Sequence, residues 1–293
     1  MNDLTAIDRF FVFQARTLER AVLRFVAPQR VLRVLFAIST RLGGKLPRGM
    51  IPIRDRHDGL WFRPDGVDRN APVILYIHGG GFTIGSPRTH APLVGALAKA
   101  TGLRAYAPRY RLAPEHPFPA AREDVIAAYA RLVEDGTPPV AIAGDSAGGC
   151  LALSVLQHAR DAGLPLPKAC CLIGPVADLS GDIEERFAGA TNELLIPPEW
   201  PARIESVYLP GTDPTDPDVS PLHGDLTGLP PTLIHAAEGE ALAQDSARIA
   251  EAMDDATLDL WPGLMHVWHL HAGLMPAADR AIAQLGDFIA SHR

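Results

Sequence analysis

The chain has 293 residues, 47% of them hydrophobic and 21% charged, a soluble globular balance that excludes disordered and fibrous classes. A length near 300 fits one large α/β domain as well as two smaller ones. The formal charge is −7, and no stretch concentrates Lys and Arg into a phosphate-binding stripe, so nucleic acid is not an expected partner.

Residues 4 to 40 place Ile7, Phe10, Phe11, Leu18, Val22, Leu23 and Phe25 at helical spacing, with Arg9, Arg16, Glu19, Arg20 and Arg24 between them, and break at Pro28. Such a helix packs on the rest of the protein, or lies at an interface against lipid or a greasy substrate. At the N-terminus the uncharged apolar run Phe10 to Phe13 is too short for a signal-peptide core or a membrane span. No targeting segment and no stable membrane insertion are therefore expected.

From about residue 50, short apolar runs alternate with Ala- and Leu-rich stretches. The runs Gly59 to Arg63, Val73 to Ile77, Leu103 to Ala107, Val140 to Ala143, Ala169 to Ile173, Thr232 to Ala236 and Thr257 to Trp261 predict strands. Pro92 to Ala100, Ala120 to Glu134, Ala147 to Ala162, Ala243 to Met253 and Ala277 to Ser291 predict helices. This alternation implies a mostly parallel sheet covered on both faces. It lapses between Pro175 and Pro231, where only Pro198 to Tyr208 looks helical. An insert of that length is more than a loop, and with the N-terminal helices it is expected to cover the strand ends. Three cysteines, Cys150, Cys170 and Cys171, cannot build a disulfide framework; buried reduced thiols and a cytoplasmic setting are expected.

The strongest chemical signal is Gly144-Asp145-Ser146-Ala147-Gly148, set between a strand and a helix. A tight turn there projects Ser146 at a helix N-terminus, whose partial positive charge favours a developing anion. Ser146 is the candidate nucleophile, and Asp145 is expected to anchor the turn. His78-Gly79-Gly80-Gly81-Phe82 follows another strand, and its glycines let bare backbone approach a substrate. The N–H groups of Gly80, Gly81 and Ala147 are the candidate oxyanion hole, and His78 is expected to be structural. A phosphate-cradling loop is the competing reading, but neither Gly-x-Gly-x-x-Gly nor a following Lys-Ser/Thr is present.

His266 follows the last strand, giving the chain order Ser, acid, His, and is the candidate base. His269 and His271 lie close by, but without His-Glu-x-x-His or another spaced ligand set no metal is expected. The acid belongs after the strand Thr232 to Ala236, where Glu238, Glu240 and Asp245 are all available. Residue type and spacing leave Glu238 and Glu240 equivalent.

Taken together, His78-Gly79-Gly80-Gly81-Phe82, the run from Tyr110 to Ala121 and Gly144-Asp145-Ser146-Ala147-Gly148-Gly149 resemble the bacterial hormone-sensitive-lipase-like family of α/β-hydrolases. The resemblance spans about residues 50 to 293. It implies an α/β-hydrolase fold with a mostly parallel eight-stranded sheet flanked by helices and a helical cap. On that plan, residues 1–45 form cap helices, 46–180 and 216–293 form the two parts of one catalytic core, and 181–215 form the cap insert. It further implies cofactor-free and metal-free hydrolysis of short to medium acyl esters, a small-molecule ester as partner, and a homodimer paired through the last strand and its neighbouring helix. The family's acid occupies the first position of Asp/Glu-x-Leu-x-Asp, which selects Glu240, although Gln244 replaces the second carboxylate. The run from Arg109 to Ala121 is expected to buttress the site floor, without a catalytic role for Glu115 or His116. An amidase, formamidase or lactonase would use the same residues, and a non-catalytic receptor would keep the scaffold alone. Phe10, Phe11, Phe187, Leu194, Leu195, Ile196, Trp200 and Tyr208 are candidates to line an apolar pocket, or to be core.

Overall fold

The computed structural model describes residues 4–26, 28–180 and 183–293. The first three positions of the N-terminal segment, and residues 181 and 182 where the predicted insert begins, lie outside them. Eight strands among the described residues form one sheet: β1 (Ile53–Arg54), β2 (Leu60–Phe62), β3 (Val73–Ile77), β4 (Arg104–Ala107), β5 (Pro139–Asp145), β6 (Ala169–Ile173), β7 (Thr232–Ala237) and β8 (Ala256–Trp261). Their spatial order is β1-β2-β4-β3-β5-β6-β7-β8; β2 is antiparallel to β1 and β4, and every other pairing is parallel. Each of the seven runs read from the sequence is a strand. The added edge strand β1 is two exposed residues long, too short to carry an alternation.

The helices are α1 (Ala6–Gln14), α2 (Arg20–Phe25), α3 (Gln29–Gly43), α4 (Ala91–Thr101), α5 (Ala120–Glu134), α6 (Ala147–Asp161), α7 (Ile183–Gly189), α8 (Glu199–Tyr208), α9 (Ala243–Ala252) and α10 (Pro276–Ser291), with a π-helical turn, Ala15–Glu19, joining α1 to α2. The period of the strands divides the core in two. Leu75, Ile77, Ile142, Cys170 and Leu172 face the side covered by α5 and α6, whereas Ile74, Tyr76, Ala143, Cys171 and Ile173 face the side covered by α4 and α10. The three cysteines are buried and unpaired, and burial pushes the Cys150 and Cys170 thiols up to about 12.

The register fixes where chemistry can occur. Ile77 lies opposite Gly144 and Asp145 opposite Ile173, so β3, β5 and β6 end side by side and the loops leaving them meet above the sheet. Over this edge lie the N-terminal helices and the insert, joined through guanidinium groups. Arg20 Nη1 donates to the carbonyls of Glu193 (3.1 Å) and Ile196 (2.9 Å), and Arg203 donates to those of Leu23 and Val26, each at 3.0 Å. Arg33 of α3 reaches the body of the protein, donating to the Thr83 and Ala113 carbonyls at 2.8 Å and pairing with Glu115. Glu115 thus anchors α3. No helix among the described residues is long and apolar enough to cross a membrane.

α1 starts where Thr5 and Asp8 cap each other. Thr5 Oγ1 accepts from the Asp8 N–H at 3.1 Å, and Asp8 Oδ2 accepts from the Thr5 N–H at 2.8 Å. The second oxygen of Asp8 accepts from the Ala277 N–H at 2.9 Å, at the positive N-terminus of α10, and the side chain is fully buried. One carboxylate therefore caps one helix and ties it to another. Asp8→Ala is expected to cost ~2 kcal/mol, read as a lower Tm and faster proteolysis within residues 6–25 than in the sheet.

Candidate active site

Ser146 stands between β5 and α6 at φ +52° and ψ −121°, a region that non-glycine residues avoid. Backbone so strained costs about 1–3 kcal/mol and persists only where its surroundings enforce it. Here the Ser146 N–H donates to the Ile173 carbonyl (2.8 Å), and its carbonyl accepts from the Gly149 (2.9 Å) and Val176 (3.3 Å) N–H groups. Gly148 lets α6 approach β3, since a Cβ there would be driven into the Ile77 carbonyl oxygen. The turn aims Ser146 into a cavity of about 500 Å³ that also receives His266, Gly80 and Gly81.

His266 leaves the loop after β8. Its Nδ1 lies 2.8 Å from Glu240 Oε2, and both side chains are buried. The other oxygen of Glu240 accepts from the Ala237 N–H at 3.1 Å, which fixes the carboxylate at the end of β7. Burial opposes a charged imidazole, but the adjacent Glu240 carboxylate outweighs it and lifts the pKa of His266 above its ordinary range. His266 Nε2 is buried and has no protein partner among the described residues.

The other acids are disposed differently. Glu238 is exposed. Asp245 accepts from the Ala177 (2.8 Å) and Asp178 (3.2 Å) N–H groups and pairs with Arg186 of the insert; burial pushes its carboxyl up despite these partners. His266, His269 and His271 also diverge, because His269 Nε2 pairs with His235 Nδ1 at 3.1 Å and His271 Nδ1 with the Gly43 carbonyl at 2.8 Å.

Gly80 and Gly81 line the cavity beside Ser146, and Ala147 follows the serine at the start of α6. Gly80 has φ +113° and Gly81 φ +56°, conformations that favour glycine, and a Cβ on Gly80 would meet the Ile84 carbonyl. The N–H groups of Gly80, Gly81 and Ala147 donate to no protein acceptor among the described residues.

Behind these groups sits Asp145. Its Oδ1 accepts from the Tyr76 hydroxyl (2.8 Å) and the Gly79 N–H (3.0 Å), and its Oδ2 lies 3.2 Å from His90 Nε2. Burial would raise this carboxyl, but His90 and the Tyr76 hydroxyl hold it below the ordinary carboxylate range. His78 stacks on Tyr110, whose hydroxyl donates to the His78 carbonyl at 2.7 Å, and burial beside His90 pushes its imidazole down to about 3. His78 is a neutral packing group, and the 109–121 run supports the loop that carries the glycines.

Known proteins resemble this chain in both sequence and fold. Residues 74–270 match the family described as alpha/beta hydrolase fold. The chain is 44% identical over 235 residues to an acetyl-hydrolase of Streptomyces hygroscopicus, covering 78% of each chain, and 37% identical to a putative acetyl-hydrolase, LipR, of Mycobacterium tuberculosis, covering 75% of this chain and 73% of that one. A crystal structure of an esterase from the bacterial hormone-sensitive lipase family superposes with a TM-score of 0.89 at 33% identity, covering 100% of this chain and 99% of that one. A mutant of the esterase E40 superposes with a TM-score of 0.91, also at 33% identity, over 98% and 99% of the two chains. The chain belongs to the hormone-sensitive-lipase-like family of α/β-hydrolases. Its enzyme class is the carboxylesterase.

In this hydrolase the walls of the cavity are largely apolar and come from distant parts of the chain. Phe10, Phe11, Leu195, Ile196 and Trp200 line it, as their apolar character suggested, but Phe187 and Leu194 do not. Tyr208 stacks on Phe82 with centroids 3.9 Å apart, and Trp268 is buried against His269. The larger contribution is from α2 and α3, including Val22, Leu32, Phe36 and Leu42, which no motif identifies. Two polar residues also escaped sequence reasoning. His90 has no neighbouring signal in the chain, and Glu193 of the insert accepts from the Ala241 N–H at 3.0 Å, beside Glu240. An NMR titration is expected to place the pKa of His266 above the usual imidazole value of about 6.5. In Glu240→Gln, burial acts unopposed by that carboxylate, and the pKa should fall below the wild-type value.

Proposed function

We propose that this carboxylesterase cleaves short to medium acyl esters through an acyl-enzyme on Ser146. The observation that carries the reading is the asymmetry of His266, which lines the same cavity as Ser146: Nδ1 is held by Glu240, while the buried Nε2 has no protein partner among the described residues. In the mechanism, Nε2 accepts the Ser146 proton as Oγ attacks the ester carbonyl carbon. Glu240 keeps the proton on Nδ1 and stabilises the imidazolium. The carbonyl oxygen, now anionic, accepts from the Gly80, Gly81 and Ala147 N–H groups, with the α6 N-terminus contributing favourable potential. Collapse breaks the ester C–O bond, and the alcohol leaves with the proton held by His266. Water then attacks the acyl-Ser146 by the same route, releasing the acid and restoring the serine.

The substrate class follows from the walls. The cavity offers apolar surface to both parts of the ester, with few polar side chains to recognise a charged group. On this reading α1 to α3 and the insert act as a cap that encloses the acyl or alcohol chain. Initial rates on p-nitrophenyl esters from acetyl to palmitoyl are expected to peak at short to medium chains, and Ser146→Ala should lose about 10⁴-fold or more in kcat. Because neutral His266 is the base, kcat/KM should fall as pH drops through its raised pKa, with the acidic limb moving to lower pH in Glu240→Gln. Retained turnover in Ser146→Ala would exclude the acyl-enzyme. Exclusive turnover of amides or lactones would keep the mechanism and change the substrate.

A further inference from the structure

The N-terminal helices that line the cavity also carry most of the large apolar side chains left in solvent. On α3, Val31, Val34, Ile38 and Leu42 are 45%, 58%, 50% and 75% exposed. Their spacing of i, i+3, i+7 and i+11 places them on one stripe. On α1 and the turn that follows, Ile7, Phe10, Phe13 and Leu18 are 50–65% exposed. Scattered exposed leucines need no explanation, but two apolar stripes on neighbouring elements form a patch that does. The patch is continuous with the site: Phe10 and Leu18 from one stripe and Ile38 and Leu42 from the other line the cavity that holds Ser146. The stripes therefore flank its mouth.

Charge identifies what such a patch meets. Residues 1–48 contain nine Lys and Arg against three Asp and Glu, a net +6 inside a chain of −7, so the remainder carries −13. Arg9, Arg16, Arg24, Arg30 and Arg41 are exposed among the apolar side chains, and Arg16 and Arg41 make no ion pair among the described residues. Pairing this face with a second copy of the chain would set +6 against +6. An amphipathic face combining Phe, Leu and Ile with Arg, on an otherwise acidic protein, matches an anionic lipid–water interface.

We propose that the exposed faces of α1 and α3 dock the protein on an anionic phospholipid surface, with the cavity mouth turned toward the lipid. The acidic body is repelled by such a surface, so attraction and repulsion together set one orientation. Apolar esters dissolved in the lipid then reach Ser146 without crossing water. Docking itself requires no catalysis; only this delivery of substrate rests on the ester-hydrolase reading.

The test is co-sedimentation of the purified Ser146→Ala protein with vesicles of phosphatidylglycerol and phosphatidylcholine, against phosphatidylcholine alone. Ser146→Ala removes hydrolysis of the vesicles and isolates binding from chemistry. The expected result is ~10-fold stronger partitioning onto the anionic vesicles, lost at high salt as the charges are screened. Phe13→Glu with Val34→Glu, which do not line the cavity, should weaken it ~10-fold, and in the Ser146 background leave hydrolysis of a soluble p-nitrophenyl ester unchanged. Arg16→Glu with Arg41→Glu should do the same without altering apolar surface, which keeps the test sharp if the first pair misfolds. No sedimentation with either vesicle, or equal sedimentation with both, would overturn the proposal. So would a dimer that the same substitutions dissociate in the absence of lipid binding. Vesicle binding without any ester turnover by the Ser146 protein would sink the catalytic reading and leave the docking intact.

Discussion

The site depends on one strained turn. At Ser146 the chain must leave β5, reverse, and enter α6 within a residue whose φ is +52°. Nothing local favours that conformation, so it must be imposed by the pieces it joins. β6 imposes it through the Ile173 carbonyl, and the segment after β6 through the Val176 N–H. α6 can press against the end of β3 only because Gly148 has no side chain. Asp145, the neighbour of the strained residue, then extends the constraint sideways by accepting from the Gly79 N–H. A single buried carboxylate thus couples the serine turn to the glycine loop that supplies two of the three free amides. On the proposed mechanism these amides are preorganised donors that need no rearrangement when charge develops, which is where most electrostatic stabilisation of a reaction resides.

The same logic explains what is legible in the sequence. Strands buried on both faces read as continuous apolar runs, so the central strands are evident without any alignment. The serine turn is visible because its glycines are required by close approach within a few residues. His266 is visible because it follows the last strand. Glu240 is not distinguished from Glu238 by its own surroundings in the chain; the difference is that one carboxylate turns under His266 and the other into solvent, a fact of the β7 loop geometry. His90 and Glu193 are further cases, each touching its partner across dozens of residues. Likewise β1 exists because β2 offers it an edge, and α3 lines the cavity because Arg33 holds it to loops near residues 83 and 113.

The N-terminal segment serves two environments at once. Its inward side chains complete an apolar chamber, and its outward ones leave comparable surface uncovered. Its arginines are spaced along the helices rather than clustered, so the whole-chain charge of −7 conceals a local excess of the opposite sign. Arg20 spends its hydrogen bonds on main-chain carbonyls and so joins α2 to the insert without neutralising its charge, whereas Arg33 adds to its carbonyl contacts an ion pair with Glu115. Position, charge and apolar exposure therefore meet at the mouth of the cavity.

The central claim is that one serine, held in this turn, is the nucleophile. Treatment with diethyl p-nitrophenyl phosphate, followed by intact-mass analysis and peptide mapping, tests it most directly. The account predicts a single diethylphosphoryl group on Ser146, appearing in step with loss of esterase activity and absent from Ser146→Ala. Complete inactivation with the label on another residue, or full activity in protein labelled at Ser146, would contradict it.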